Sequence, residues 1–100
     1  MVKPSEFTSA STLEFAELFD EAGFPPGVFN VITGFGQEVG TPLVEHPLVA
    51  KVSFTGSVPV GRHLAQLCAR HLKRVTLELG GHAPVIVCAD ADIDKTVAMM

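Results

Sequence analysis

The sequence predicts an α/β protein built on a doubly wound parallel sheet. Short apolar runs rich in β-branched residues alternate with amphipathic helical segments along the chain. Strands separated by helices pair in parallel, and the helices cover the faces of the sheet. Glycine or proline turns lead from one element into the next. With right-handed crossovers, this order gives a doubly wound half-domain.

In the first half of the chain, the clearest element is a helix from about Ser9 to Ala22. Leu13, Ala16 and Phe19 are spaced along one side of it, and Gly23 stands where a left-handed residue ends a helix. Two further segments follow, a predicted strand and a weaker predicted helix, over residues 28–32 and 37–45.

The second half predicts a strand over 49–55, followed by a helix that opens at Gly56-Ser57 and runs to about Leu72. The apolar residues of this helix recur with a helical period, at Val60, Leu64, Leu67, Cys68 and Leu72. The remaining predicted elements are strands over 74–79 and 84–88 and a last helix that opens at 90–94.

The two ends and the composition predict a half-domain that is truncated at both ends. Val2-Lys3 is typical of the end of a strand, and the last helix has barely begun at Met100. The chain is 47% hydrophobic although many residues of so short a chain must face water, which favours apolar faces that pack against further chain over an unusually dense core.

Charge and cysteine usage exclude several classes of function. A net charge of −4 with scattered lysines and arginines argues against nucleic-acid binding. Cys68 and Cys88 lack partner motifs and are expected to be core residues in a reducing compartment, so we expect a cytoplasmic protein with no membrane segment. The histidines lack metal-ligand spacing, and no metal site is predicted; His46, His63 and His71 are expected at the surface or at caps.

Ligands of such sheets bind beyond the carboxyl ends of the strands, so the residues after each strand are the candidate site residues. Lys3 and Glu6 could bracket ribose hydroxyls, although these residues taken alone favour a proline turn with solvated charges. At Gly36, a missing side chain would let a flat group approach the backbone, but glycine is also common in such turns.

The turn after the next strand is a weak dinucleotide signal, since it matches neither GxGxxG nor a P-loop. Thr55 ends the strand, Gly56 permits a tight turn, and Ser57 could cap the helix and donate to a phosphate. Gly61 would allow the helix to pack closely on the strand, and Val60 precedes it.

Glu78 lies between two leucines at the end of a predicted buried strand. A buried carboxylate is costly to ionise, a property that suits a general base working near neutral pH. A structural glutamate paired with a nearby arginine or lysine fits the same position.

Taken together, these motifs resemble the aldehyde dehydrogenase superfamily in order and spacing. They are Lys3-Pro4-Ser5-Glu6, the segment 22–31 (AGFPPGVFNV), Phe54-Thr55-Gly56-Ser57 and Leu77-Glu78-Leu79-Gly80-Gly81, and the resemblance covers essentially all 100 residues. It implies a Rossmann-like half-domain of the aldehyde dehydrogenase fold, with residues 1–79 as the NAD(P)-binding segment and 80–100 as the start of the catalytic domain.

The resemblance also implies roles for the candidate residues. Lys3 and Glu6 match residues that hold the adenosine ribose, and Gly36 and Val60 match residues near the adenine. Gly56 and Ser57 match the positions that meet the pyrophosphate, and Thr55 and Gly61 beside them are expected to belong to the cofactor site. The Leu79 backbone matches a contact to the nicotinamide carboxamide. Because Glu6 would repel the 2′-phosphate of NADP, NAD is favoured, with NADP still possible.

For catalysis, the resemblance implies that Glu78 is the general base and that an aldehyde is oxidised to the carboxylic acid through attack by a thiol. Neither Cys68 nor Cys88 matches the nucleophile, so the chain by itself is expected to be inactive. His82 replaces a lysine often found there, which favours a semialdehyde substrate. The full-length protein is expected to be a homo-oligomer, a dimer or a tetramer. Two alternatives stay open: a stand-alone nucleotide-binding module without catalysis, and a structural or oligomerising piece.

Overall fold

The computed structural model describes residues 1–99 of the chain. Within them, four α-helices and two strands follow one another with a short π-helical segment, Gly36–Gly40, before the second helix. In chain order the elements are α1 (Ser9–Glu21), α2 (Thr41–Glu45), β1 (Lys51–Gly56), α3 (Val58–Arg70), β2 (Arg74–Leu79) and α4 (Ile93–Met99).

The strands β1 and β2 pair in parallel, and α3 connects them. The register places Lys51 opposite Arg74 at one end and Gly56 opposite Leu79 at the other. Since side chains alternate between the two faces of a strand, Val52 and Phe54 lie on one face, and both pack against the buried core. This β-α-β unit is the α/β arrangement that the alternating pattern predicted.

The core lies between α3 and the elements that it covers. Its buried residues are Val44 of α2 and three residues of α3, Leu64, Leu67 and Cys68. The side chain of Cys68 is fully buried, as the apolar stripe of α3 predicted. The spacing of these α3 residues by three, four and one positions places them on one side of the helix, which explains why α3 forms here.

The N-terminal part of the chain is held by a second parallel contact. The N–H of Val2 donates to the carbonyl of Asn30 at 2.7 Å, and the N–H of Ile32 donates to the carbonyl of Val2 at 2.9 Å. Val2 therefore pairs in parallel with Val31. Beside this bridge, Phe19 of α1 stacks on Phe29 with their ring centroids 4.2 Å apart.

The described chain is more open than a compact domain of its length. Its radius of gyration is 18.2 Å, compared with about 13 Å for a compact domain of this size. Large apolar side chains are exposed along its length, among them Phe7 at 90%, Ile86 at 87% and Leu72 at 94%. The sequence expectation that apolar faces exceed what this core can bury agrees with this exposure.

Four predictions about local structure are wrong or only partly right. Residues 28–32 form the single bridge at Val31 rather than a strand, because the turn after Pro25-Pro26 extends into them. Residues 37–45 form a π-helical turn followed by α2 instead of one α-helix. Residues 84–88 form no strand, since no described strand pairs with them, and Cys88 is exposed rather than part of the core.

Lys73 ties the end of α2 to the start of β2. Its ammonium donates to the carbonyl oxygens of Val44 at 2.5 Å and His46 at 2.6 Å, so a positive charge meets the carbonyls at the C-terminal end of α2. Replacing Lys73 by methionine should lower the free energy of unfolding by about 1–3 kcal/mol, because two charge-assisted bonds are lost.

Chemical denaturation of the full-length protein measures this change. Arg70→Met is the matched control, since Arg70 lies near Glu45 at 3.9 Å with both side chains largely exposed and should cost at most about 1 kcal/mol. Equal losses for the two variants would contradict the bridging role of Lys73.

Candidate functional site

The turn from β1 into α3 lies at the carboxyl end of the sheet, where α/β folds bind ligands. Gly56 ends β1, and Ser57 occupies the N-cap of α3 with an extended backbone. The Ser57 side chain makes no capping hydrogen bond, and the first turn of α3 contains no acidic residue. Free N–H groups at a helix start carry partial positive charge, so this turn suits a phosphate group.

Gly61 brings α3 close to β2. It is buried, and a methyl group built on it would overlap the side chain of Leu79, whose Cδ1 would lie 2.9 Å away. The close approach fixes the helix start beside the end of β2. In this chain Gly61 therefore acts through packing, behind the turn formed by Thr55, Gly56 and Ser57.

Glu78 stands next to that turn on the neighbouring strand. The register pairs Glu78 with Thr55 and Leu79 with Gly56. Because Leu79 meets α3 and side chains alternate along a strand, Glu78 points to the opposite face of the sheet from α3. Glu78 is exposed within the described residues, so the expected burial of this carboxylate is wrong for the chain as it stands.

A cavity of about 970 Å³ lies on the α3 side of the turn. Four of the candidate cofactor residues line it although they come from distant parts of the sequence: Lys3, Glu6, Gly36 and Val60. The edge of β1 that faces away from β2 forms another wall. The remaining candidates, Thr55, Gly56, Ser57, Gly61, Glu78 and Leu79, lie outside the lining, at and behind the β1–α3 turn.

The position of Lys3 is fixed by the backbone around it. Its ammonium donates to the carbonyl oxygens of Pro4 and, at 3.0 Å, of Gly34. These bonds hold a positive charge at the cavity wall. Glu6, by contrast, is exposed and makes no ion pair among residues 1–99. Its carboxylate is thus free to accept hydrogen bonds from a ligand.

The backbone at Gly36 is open enough for a flat group to lie against it. A methyl group built on Gly36 would have no atom within 4 Å, so no packing contact of this chain requires glycine there. Gly36 lines the cavity, and Val60 lies on the α3 wall of the same cavity. The cavity and the phosphate-compatible turn could together hold a dinucleotide.

His63 also lines the cavity, and the sequence interpretation missed it. Its side chain is exposed, as the sequence predicted, but its place among the candidate cofactor residues was not predicted. His63 follows Val60 by three positions and Pro59 by four, so all three lie on one side of α3 and line the cavity together. Because Val60 was already assigned to the cofactor site, this helical spacing could have placed His63 beside it.

The structure offers no metal centre among residues 1–99, since no three histidine, cysteine or acidic side chains are grouped to hold an ion. No helix in this part of the chain is long and apolar enough to cross a membrane.

Comparison with known proteins assigns the fold and the site to one family. Residues 1–100 match the sequence profile described as "Aldehyde dehydrogenase family". The chain belongs to the aldehyde dehydrogenase family. The resemblance drawn from the four motifs is therefore confirmed, and the parallel β-α-β unit is part of the Rossmann-like fold of these proteins.

Individual aldehyde dehydrogenase relatives agree over nearly the whole chain. A 4-(hydroxymethyl)benzenesulfonate dehydrogenase of Comamonas testosteroni is 56% identical over 100 residues, which are 100% of this chain and 21% of that protein. The crystal structure of an NAD-dependent aldehyde dehydrogenase from Sinorhizobium meliloti superposes with a TM-score of 0.79 at 56% identity, over 96% of this chain and 19% of that one.

A third match, an NADP-dependent enzyme of E. coli, superposes with a TM-score of 0.79 at 54% identity, over 96% of this chain and 20% of that one. The chain thus spans about a fifth of the length of these relatives. The NAD-dependent and the NADP-dependent enzyme have nearly the same sequence identity to this chain, 56% and 54%. The cofactor class of these neighbours is therefore NAD(P).

Proposed function

We propose that the protein containing this chain oxidises an aldehyde to the carboxylic acid with NAD. This chain would supply the adenosine and pyrophosphate sites, a backbone contact to the nicotinamide and the general base. The observation that carries the proposal is the register of β1 and β2, which sets Glu78 beside Thr55 at the end of the strand that leads into α3. A proton acceptor and a phosphate-compatible turn therefore stand at one edge of one sheet.

Each part of the site would hold one part of the dinucleotide. Lys3 and Glu6 would bind the adenosine ribose, Gly36 and Val60 would flank the adenine, and the first turn of α3 would receive the pyrophosphate. The backbone of Leu79 would meet the nicotinamide carboxamide. When bound, the cofactor supplies the acceptor for hydride; the residues of this chain orient it and leave the chemistry to its nicotinamide end.

Glu78 would move protons for the reaction. It faces away from α3 and is exposed in the described chain, so its carboxylate can receive a proton from a nucleophilic thiol or from the water that releases the acid product. Among residues 1–99, Glu78 forms no ion pair with lysine or arginine. This lack of a partner supports the general base over a structural glutamate.

Glu6 supports NAD as the preferred cofactor. Its exposed carboxylate lines the same cavity as the proposed adenosine site, and a negative charge there repels the additional phosphate of NADP. Lys3, whose ammonium is bound to two backbone carbonyls, offsets this repulsion only in part. The preference is therefore for NAD, with NADP as a weaker alternative.

The chain's own cysteines do not supply the nucleophile in this proposal. Cys68 is fully buried on the inner side of α3, and Cys88 is exposed on a segment without regular structure. Free cysteines are also consistent with the cytoplasm as the place of action. Three further features stay predictions: the division into residues 1–79 and 80–100, a homo-oligomeric assembly that uses α3, and a semialdehyde as the substrate.

The proposal predicts aldehyde-dependent reduction of NAD by the full-length protein and none by the isolated 100-residue chain. Because neither Cys68 nor Cys88 matches the family's nucleophile, the rate of the isolated chain should equal that of a heat-inactivated sample. Absorbance of the reduced cofactor, followed with a panel of aliphatic and aromatic aldehydes and semialdehydes, measures both rates. A full-length protein that binds NAD tightly but oxidises no aldehyde would favour the nucleotide-binding module instead.

A further inference from the structure

The ammonium of Lys3 is held at the cavity wall by a carbonyl from a distant part of the sequence. Lys3 is half-buried, and its Nζ donates at 3.0 Å to the carbonyl oxygen of Gly34, which is 31 positions further along the chain. It also donates to the carbonyl oxygen of Pro4, the next residue. Because an ammonium group has three donors, these two bonds leave one N–H for a ligand in the cavity that Lys3 lines.

The carbonyl of Gly34 reaches this place because the residue is glycine. The φ angle of Gly34 is +143°, a backbone conformation that residues with a Cβ rarely adopt. A methyl group built on Gly34 would overlap a methyl of Val39 and would lie 3.4 Å from its Cβ. The backbone N–H of Val39 donates to the carbonyl of Phe35 at 2.9 Å, which fixes Val39 beside Gly34. Both the backbone angle and the packing therefore oppose a side chain at this position.

The Lys3 side chain is supported along its length as well as at its ammonium. Its Cδ would lie 3.8 Å from a methyl group built on Gly40, so the stem passes close to the end of the π-helical segment. Gly34, by contrast, does not line the cavity. A ligand in the cavity would therefore meet Lys3 and not Gly34.

We infer that Gly34 is a positioning residue for cofactor binding, whose carbonyl fixes the Lys3 ammonium and leaves one N–H for the adenosine ribose. This inference rests on the proposed function, since it assumes that Lys3 binds that ribose. A donor that is already held in place loses less conformational freedom when it binds a ligand, so it contributes more to the affinity. In Gly34→Ala the carbonyl has to move, and the Lys3 ammonium loses this support.

A double-mutant cycle in the full-length protein tests this role, with the Kd for NAD measured by isothermal titration calorimetry. Gly34→Ala and Lys3→Met should each raise the Kd by about threefold to tenfold. If Gly34 acts through Lys3, adding Gly34→Ala to Lys3→Met should change the Kd by less than about twofold. Effects that multiply would overturn the inference, because Gly34 would then act on the site by another route.

Val39→Ala provides a rescue of Gly34→Ala. It removes the methyl that the new side chain overlaps, so the protein with both substitutions should bind NAD more tightly than Gly34→Ala alone. The φ angle stays unfavourable for alanine, so the recovery should be partial. If Gly34→Ala alone does not fold, the cycle with Lys3→Met is measured in the Val39→Ala background.

Gly23→Ala is the matched control for a glycine with a positive φ. Gly23 has a φ of +77° and follows the C-cap of α1, and a methyl group built on it would have no atom within 4 Å. This variant should lower the Tm but change the Kd for NAD by less than about twofold. If the unmodified protein binds NAD and Gly34→Ala leaves the Kd unchanged, the inference is overturned and the proposed function stands. If the unmodified protein does not bind NAD, the proposed function is overturned as well.

Discussion

Replacing Glu78 by glutamine in the full-length protein should lower kcat for aldehyde oxidation by about 10²–10⁴-fold, the usual contribution of a general base. Glutamine keeps the size of the side chain and its place opposite Thr55 but cannot accept the proton. Because Glu78 points away from α3 and lies outside the cavity lining, the Kd for NAD should change by less than about threefold, roughly 0.7 kcal/mol. Steady-state kinetics and calorimetry provide the two readouts.

Glu17→Gln is the control for the loss of one negative charge. Glu17 is exposed on α1 and lies outside both the cavity and the β1–α3 turn, so its replacement should leave kcat within about twofold of the unmodified protein. A Glu78→Gln protein with normal kcat would remove Glu78 from the mechanism. A loss of NAD binding equal to the loss of kcat would instead assign Glu78 to the structure of the cofactor site.

Elements whose partners lie nearby in the sequence were predicted accurately. The strand over 74–79 was predicted with the bounds that β2 has, and the helix from Ser9 to Ala22 differs from α1 by one residue. The apolar stripe of α3 correctly predicted Leu64, Leu67 and Cys68 as buried, whereas Val60 and Leu72 of the same stripe are 45% and 94% exposed. In each case the hydrophobic period, the turn residues and the neighbouring element all favoured the same structure.

The apolar run over 84–88 shows why other elements could not be predicted. Val85, Ile86 and Val87 have the composition of a buried strand, but a strand needs a neighbour that accepts and donates its backbone hydrogen bonds. The described residues provide none beside this run, which therefore forms no strand. The exposure of Glu78 and Cys88 has the same origin, since local composition does not tell which faces the chain itself covers.

The candidate cofactor residues were predicted from the family motifs, whereas the cavity that joins four of them was visible only in the structure. Lys3 and Val60 are far apart in sequence, and no periodicity relates them. They meet because Val2 pairs with Val31 and the following loop brings Gly36 near α3. The same geometry brought His63 into the cavity. Which charged residues share a cavity wall could therefore be seen only in the tertiary structure.

The stability of the site depends on the packing of α3 against the sheet. Leu67 is the α3 side chain whose loss should weaken this packing most. Among residues 1–99, four side chains form the buried core, and Leu67 is 3% exposed within it. Removing its branched end leaves a cavity that Val44, Leu64 and Cys68 cannot close without moving α3. Leu67→Ala should therefore lower the free energy of unfolding by about 2–5 kcal/mol.

Denaturant unfolding of the full-length protein, followed by circular dichroism, measures this loss. Leu67→Met is the matched control, since it conserves volume and should cost less than about 1.5 kcal/mol. Because α3 begins at the turn that would receive the pyrophosphate, Leu67→Ala should also weaken NAD binding, although Leu67 lies outside the cavity lining. A variant with reduced stability but unchanged affinity for NAD would show that the start of α3 is held independently of its core, by Gly61 against Leu79.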